Sequence, residues 1–495
     1  MYYDDSMSQL PEALFSAAQM RELDQRAIAY GIALEELMRR AGAAAWEQLE
    51  AHWPQSRHIL VMAGAGNNAG DGYVLASCAL KAKRQVTLLN VGETGKLSGA
   101  AATARKQYLA AKGQEQKFAN RLPDNADVIV DALFGTGLDR PLQDDWLQAV
   151  QLINASHMPV LALDIPSGLN ADTGVVMGAA VAATVTTAFI GMKVGLLTGD
   201  GPDCSGEILL ATLDLPSEVY ASIRPFARCI NNTDAHLFRR PRASNKGMFG
   251  HVLVIGSDHG MGGAVRFTAE AALRSGAGLV TVATRPTHVA GLLAGLPEAM
   301  VCGIDDPADV APLLARATVI AIGPGLGQDD WGRILLARAL DTPLPLVVDA
   351  DMLNLLAAHP VARGEWVLTP HPGEAGRLLK LTTEAVQQDR FQAAAQLVER
   401  YRAVVVLKGV GTIVAAADET AAVCIHGNPG MAAPGMGDAL TGVIAALIAQ
   451  GLPLSDAARA GVQFHALAGD RAAESGERGL MTRDLIAELR HVVNA

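Results

Sequence analysis

Aromatic residues are scarce: Phe, Trp and Tyr make up 4% of the 495 residues, whereas 50% are hydrophobic overall. A core with few large rings is built from Ala, Val, Leu and Gly, which suits helices packed closely on a parallel sheet. Cysteine is sparse too. The five cysteines, Cys78, Cys204, Cys229, Cys302 and Cys424, are far apart and form no C-x-x-C pair, so neither a disulfide framework nor a zinc site is indicated. No run of Lys or Arg interrupts a net charge of -11, which argues against nucleic acid and acidic membrane surfaces as partners and favours small-molecule chemistry. The opening "MYYDDSMSQLPEAL" lacks the basic and apolar regions of a signal peptide, so a cytoplasmic location is expected. Only Thr173 to Met192 is long and uncharged enough to weigh as a membrane span, but it is rich in Ala, Thr and Gly, and "ATVTTAFI" reads as a buried strand.

What is present alternates. Residues Ala17 to Trp53 carry helical spacing in two segments, each with an apolar stripe and a charged face. Then "HILVMAG", "QVTLLNVG", "ADVIVDALFG", "MPVLALDIPSG" and "ATVTTAFIG" read as short strands that end in Gly, Asp or Ser, separated by helical stretches. The pattern fails from Ser217 to Lys246, where a boundary near Asn231 is expected. A second series follows, from "HVLVIG" through "AGLVTVAT", "ATVIAIGPGLG", "PLVVDADML", "EWVLTPHPGE" and "AVVVLKGVG" to "TIVAAAD" and "TAAVCI", the last two as a hairpin around Ala417 to Glu419. The expected fold is α/β, with two αβα domains over residues 1–230 and 231–495 and no repeat between them.

In "HILVMAGAGNNAGDGYVLA" a buried strand breaks into Gly64, Gly66 and Gly70 and then becomes a helix, the setting in which backbone N–H groups bind an anion. A redox dinucleotide fold would place Asp or Glu about 20 residues on to hold a ribose. Here the next strand ends in Asn90, and Asn67, Asn68 and Asp71 put amides and an acid where a pyrophosphate loop is usually bare. Two other strand ends add Asp131 and Ser167, which with Asn68 are oxygen ligands of the kind a hard cation takes. Asp164 sits at the lip of a strand, where the alternative is a carboxylate capping the Ser-Gly turn that follows.

The second half carries "TPHPGE", "VLKGVGT" and "GNPGMAAPGMGDALTGVIAALIA". In the last, "PGMGD" leads into a helix whose first N–H groups can hold a phosphoryl oxygen beside Asp438, and Asp438 can take a proton from an attacking hydroxyl. His371 could instead be satisfied inside its Pro-rich turn, and Lys408 could merely end a strand.

The motifs "LMRRAG", "GNNAGDG", "DALFGTGL", "DIPSGL" and "KVGLLTGDGP" resemble the NAD(P)HX epimerase family, the YjeF N-terminal domain, a Rossmann-like fold. The second set resembles the ribokinase-like NAD(P)HX dehydratases, the carbohydrate kinase-related C-terminal domain of YjeF proteins, over about Lys246 to Leu489. The resemblance implies repair of hydrated nicotinamide dinucleotides. R and S forms would be interconverted by the first half, and the S form dehydrated by the second at the expense of ADP or ATP, with Mg2+ accompanying the nucleotide. It implies potassium on Asn68, Asp131 and Ser167. It also implies substrate contacts from Asn67, Asn68, Ala69, Gly70 and Asp71, from Gly135, Thr136, Gly137, Leu138, Asp139, Arg140 and Pro141, and from Asp164. Asp164 and Lys193 are the candidates for epimerase proton transfer. In the second half Lys408, Gly409, Val410, Gly411, Thr412 and Gly437 would bind the nucleotide, while Ala264, Gly325, His371 and Asp438 would face the hydrate. The expected partners are NADHX, NADPHX and adenine nucleotide, with no nucleic acid, no membrane and a homo-oligomeric assembly. The rival reading is a ribokinase-like small-molecule kinase whose product stays phosphorylated, joined to a non-catalytic dinucleotide-binding module.

Overall fold

The computed structural model describes residues 11–231, 234, 237 and 239–494. The first ten residues, which carry most of the reading of the opening segment, lie outside the described residues. The chain divides between Arg228 and Cys229 into two compact units. In the first, the strands are β1 (Ala13–Phe15), β2 (His58–Ala63), β3 (Gln85–Asn90), β4 (Glu115–Lys117), β5 (Val128–Ala132), β6 (Val160–Leu163), β7 (Val185–Phe189), β8 (Met192–Lys193) and β9 (Glu207–Ala211), with β10 (Ala227–Cys229) at the division.

The main sheet of this unit runs β4-β3-β2-β5-β6-β7-β9, and every pairing in it is parallel. Strand β2 shows why. All six of its residues are buried; Ile59, Val61 and Ala63 enter one core and Leu60 and Met62 the other, so helices must cover both faces. One layer contains the helices Ala17–Ala29, started by a capping box between Ser16 and Gln19, and Leu34–His52. The chain winds outward from β2 to β4, returns to β5 and winds the other way, so β2 and β5 flank the switch point where α/β sheets open a crevice. Beside the main sheet, β1 pairs parallel with β8, bringing Phe15 opposite Lys193.

The second unit contains β11 (His251–Ile255), β12 (Leu279–Thr284), β13 (Met300–Gly303), β14 (Val319–Ile322), β15 (Leu346–Val348), β16 (Trp366–Leu368), β17 (Val404–Leu407), β18 (Thr412–Ala415) and β19 (Ala421–Cys424). Their order is β13-β12-β11-β14-β15-β16-β17-β18-β19, parallel as far as β17 and antiparallel through β18 and β19. The expected hairpin is present, and the switch point lies between β11 and β14. One face of this sheet packs on the apolar helix Met436–Ala449 and on the apolar faces of the helices Gly262–Arg274 and Leu454–Ala472.

The strands absent from the sequence reading include β4, β9 and β13, each at an edge of its sheet. They are short and only part-buried, so they lack the continuous apolar run of the central strands. The segment from Ser217 onward also holds a short helix, Ser217–Tyr220. No helix among the described residues is long and apolar enough to cross a membrane, and the segment weighed as a span contains β7.

Candidate active sites at the two switch points

In the N-terminal unit, β2 ends at Ala63 and, after the turn Gly64 to Gly66, the helix Asn67–Lys81 begins with no side-chain cap, leaving its first N–H groups to the crevice. Asn68 is buried in that first turn, and its Nδ2 donates to the Phe134 carbonyl at 2.8 Å. Its Oδ1 is buried and has no hydrogen-bond partner. Across from it, Asp131 is fully buried and accepts from Ser167 Oγ at 2.6 Å, Ser167 N at 2.8 Å and Leu133 N at 3.2 Å. Phe134 N in turn donates to Ser167 Oγ at 2.9 Å. Burial pushes the Asp131 carboxyl up to about 6 despite these donors. Asn68, Asp131, Ser167 and the Phe134 carbonyl therefore make one oxygen-rich nest holding an unsatisfied acceptor.

Asp164 lies on the other side of Gly135. A methyl group on Gly135 would be 3.4 Å from Asp164 Oδ2 and 3.7 Å from Asn68 Cβ, so the three loops close on one small space. The Asp164 backbone has φ +68, uncommon for a residue with a side chain and a form of strain found at functional sites. Its Oδ1 accepts from Lys193 Nζ and from Phe189 N at 3.2 Å, so no capping of the following turn is seen. Lys193 is fully buried and also donates to the Phe189 carbonyl at 2.8 Å.

Two more carboxylates face this pair. Burial, then the charge of Asp164, pushes Asp71 well above the ordinary range, with Lys193 opposing. Burial and Asp164 likewise push Asp24, on the helix Ala17–Ala29, up to about 6, against Lys193. Asp24 escaped the sequence reading because it sits on the polar side of an amphipathic helix among other charges. Its neighbour one turn back gives the geometry: Met20 Sδ would lie 3.1 Å from a methyl on Gly191, two residues before Lys193.

Other expected contacts separate. Asn67 is exposed in the first helical turn, whereas Ala69 and Gly70 are buried, with Gly70 against Met38. Thr136 and Leu138 are half-buried, while Gly137, Asp139, Arg140 and Pro141 are exposed along the rim. Asn90 has structural work: the Tyr73 hydroxyl lies 2.8 Å from both Asn90 Oδ1 and Glu115 Oε2, tying β3 to β4.

In the C-terminal unit the centre is a buried ion pair. Lys408 follows β17 and donates to Asp349 Oδ1 at 2.7 Å, with Glu374 Oε2 at 3.9 Å. Asp349, one residue past β15, also accepts from Thr441 Oγ1 at 3.0 Å. A methyl on Gly437 would lie 3.1 Å from Lys408 Nζ and 3.4 Å from Asp349 Oδ2, so the pair sits directly beneath the residue before Asp438. Burial would raise Asp349, but the charge and hydrogen bonds of Lys408 outweigh it and hold the carboxyl below its ordinary range. Asp438 moves the opposite way. Burial, then the negative charge of Asp349, pushes it up to about 7, with Lys408 opposing and Asp351 and Glu374 adding to the rise.

His371 caps the helix Pro372–Leu379: its Nδ1 accepts from Gly373 N at 3.0 Å, and Glu374 Oε2 accepts from His371 N at 2.8 Å. The local turn bond uses Nδ1 and leaves Nε2 3.6 Å from Glu374 Oε1. Burial pushes Glu374 up to about 7. The loops after β11 and β14 are joined by Ser257 N donating to Pro324 O at 2.9 Å and Asp258 N to Gly325 O at 2.7 Å. A methyl on Gly325 would lie 3.3 Å from Ala264 Cβ. Helices Gly262–Arg274 and Met436–Ala449 meet where Gly442 approaches the Thr268 carbonyl, one turn beyond both Ala264 and Asp438. His465, buried and pushed down to about 4 by burial, donates from Nε2 to the Met436 carbonyl at 2.9 Å and fixes the first turn of the Asp438 helix.

Two doubly wound units, each with perturbed acids gathered at the switch point of its own sheet, define a two-domain α/β enzyme. The family described as YjeF-related protein N-terminus matches residues 34–195, and the family described as NAD(P)H-hydrate dehydratase matches residues 252–491. A bifunctional NAD(P)H-hydrate repair enzyme of Coxiella burnetii is 48% identical over 484 residues, covering 97% of this chain and 99% of that one. The corresponding Escherichia coli enzyme is 42% identical over 489 residues, covering 98% and 95%. A crystal structure of a ribokinase-like superfamily protein from Enterococcus faecalis is similar with a TM-score of 0.50 and 31% identity, covering 53% of this chain and 92% of that one. The chain belongs to the family of bifunctional NAD(P)H-hydrate repair enzymes.

Proposed function

We propose that the N-terminal unit, about residues 1–230, interconverts the R and S forms of NADHX and NADPHX, and that the C-terminal unit, about residues 231–495, dehydrates the S form using ADP or ATP. The observation that carries the reading is Asp438: a half-buried carboxyl pushed up to about 7 in the first turn of an apolar helix, above the Lys408–Asp349 pair. A base near neutral pH beside a helix N-terminus suits removal of a hydroxyl proton while phosphoryl oxygens are held.

In the first unit, inversion at a carbon bearing a hydroxyl and a ring nitrogen requires one bond there to open and close on the other face. A proton is given to the departing group and taken back on its return. Asp164 and Lys193 hold that proton between them. Asn67 to Asp71 and Gly135 to Pro141 form the wall that holds the dinucleotide. The nest of Asn68, Asp131 and Ser167 fits potassium, because the buried, unpartnered Asn68 Oδ1 lacks a positive neighbour and the other donors are oxygens. A bound potassium ion would supply positive charge beside the dinucleotide.

In the second unit, Ala264, Gly325 and His371 border the hydrate and Asp438 takes the proton of its hydroxyl. The hydroxyl oxygen bonds to the terminal phosphorus of the nucleotide as the bridging P–O bond breaks. The ring carbon–oxygen bond of this phosphate ester then breaks, phosphate leaving with the electron pair while the neighbouring carbon gives its proton to solvent, which restores the ring double bond and yields inorganic phosphate. Phosphate leaves readily where hydroxide does not. Lys408 to Thr412 and Gly437 border the nucleotide. Among the described residues no group of three or more His, Cys, Asp or Glu could hold a metal ion; Mg2+ would come with the nucleotide, held by its phosphate oxygens and water. The five free cysteines fit a reducing, cytoplasmic setting. The test is conversion of mixed NADHX epimers with and without nucleotide. NADH and phosphate support repair, whereas a stable phosphate ester supports the kinase reading.

A further inference from the structure

We infer that Arg390 is a positioning residue for nucleotide use, holding the loop Lys408 to Thr412 in its binding shape through the loop's own carbonyls; this rests on the reading that the loop takes the nucleotide. Arg390 opens the helix Arg390–Tyr401 and is 2% exposed, with burial pushing it down to about 10. Its guanidinium reaches under the loop. Nη2 donates to the carbonyls of Leu407 and Lys408, each at 3.3 Å, and Nη1 donates to those of Val410 and to Gly411 at 3.2 Å. The carbonyl left over, Gly409, accepts from Thr412 Oγ1 at 2.8 Å. Every carbonyl from Leu407 to Gly411 is therefore held.

The consequence lies on the other side of the chain. A planar trans peptide points its N–H opposite to its C=O. With the Lys408 and Val410 carbonyls turned to Arg390, the N–H groups of Gly409 and Gly411 face away from it, in the arrangement that makes an anion-binding concavity. The glycines are required for this: Gly409 has φ +136 and Gly411 φ +63, and a methyl on Gly409 would sit 3.0 Å from Arg390 Nη2. A loop with two such glycines loses much chain entropy on ordering, so a fork of fixed donors that orders it beforehand strengthens binding of the nucleotide. Lysine cannot reproduce the fork, since its three donors radiate from one atom.

The test uses the full chain with Arg390→Lys, Arg390→Met and Gly409→Ala. The Michaelis constant for ADP is measured at saturating S-NADHX, that for S-NADHX at saturating ADP, and R/S exchange separately. Losing hydrogen bonds to a charged donor is expected to raise the ADP constant about 10-fold in Arg390→Lys and about 100-fold in Arg390→Met. Gly409→Ala should change it in the same direction, while the hydrate constant stays within about twofold and R/S exchange is unchanged. If Arg390→Met fails to fold, the other two variants decide. An unchanged ADP constant in the folded variants, or an equal rise in both constants, overturns the role. Amide exchange of the wild-type chain with ADP separates the two claims. Protection at Gly409 to Gly411 supports the nucleotide placement on its own, whereas no protection there removes the placement and the Arg390 role with it.

Discussion

Replacing Asp349 with Asn should move the acid limb of dehydration to lower pH. In the wild-type chain Asp438 is pushed up to about 7, first by burial and then by the negative charge of Asp349, with Lys408 opposing. Such a base is about one-tenth ionised at pH 6 and about nine-tenths at pH 8, so kcat/KM for S-NADHX should rise about tenfold between them. Asp349→Asn removes one negative neighbour and leaves the charge of Lys408 less compensated; Asp351 and Glu374 remain. Both changes favour the Asp438 carboxylate. A fall of about one pKa unit would shrink the ratio between pH 6 and pH 8 to about twofold. The nucleotide's own phosphate titrates in this range, but equally in both proteins, so the difference between profiles belongs to the protein. Breaking a buried pair costs about 3–5 kcal/mol, so both are assayed below the variant's own melting temperature. Recovery of NADH absorbance from S-NADHX and saturating ADP gives the rates. Coincident midpoints, or a wild-type rate flat between pH 6 and pH 8, would refute the electrostatic coupling of Asp349 to Asp438.

Asp438→Asn should slow nucleotide-dependent dehydration about 10²–10⁴-fold and leave R/S exchange unchanged, as read by separating the epimers. Asp164→Asn should slow exchange by a similar factor. With mixed epimers and ADP it should consume the S form at the wild-type rate and then fall to the spontaneous exchange rate. Asn68→Ala removes the unpartnered oxygen of the proposed potassium nest, so the rise in melting temperature from potassium over choline at matched ionic strength should disappear. A retained rise would place the ion elsewhere.

The central strands were legible because each is a continuous apolar run that ends in a polar or glycine motif, and the motifs fall at the switch points. Asn68, Asp131 and Ser167 could be grouped because they close three strand-end motifs, and the structure brings them into one nest. Edge strands such as β4 were not legible, since a half-exposed triplet such as "EQK" has no pattern to read. Nor was the direction of a side chain. Lys408 reads as part of a glycine loop, yet its ammonium turns inward to Asp349, which lies in "VVDADML" without any glycine to mark it. Arg390 and Asp24 reach their partners from helices distant in sequence, a relation set by packing and not by spacing.

The most direct measurement follows the full chain with a mixture of R- and S-NADHX, recording NADH absorbance and inorganic phosphate with and without ADP or ATP. Two-unit repair gives complete recovery of NADH from both epimers, one phosphate per NADH, and none of this without nucleotide. Nucleotide consumption that leaves a stable phosphorylated hydrate, or recovery that stops when the S form is exhausted, would contradict it.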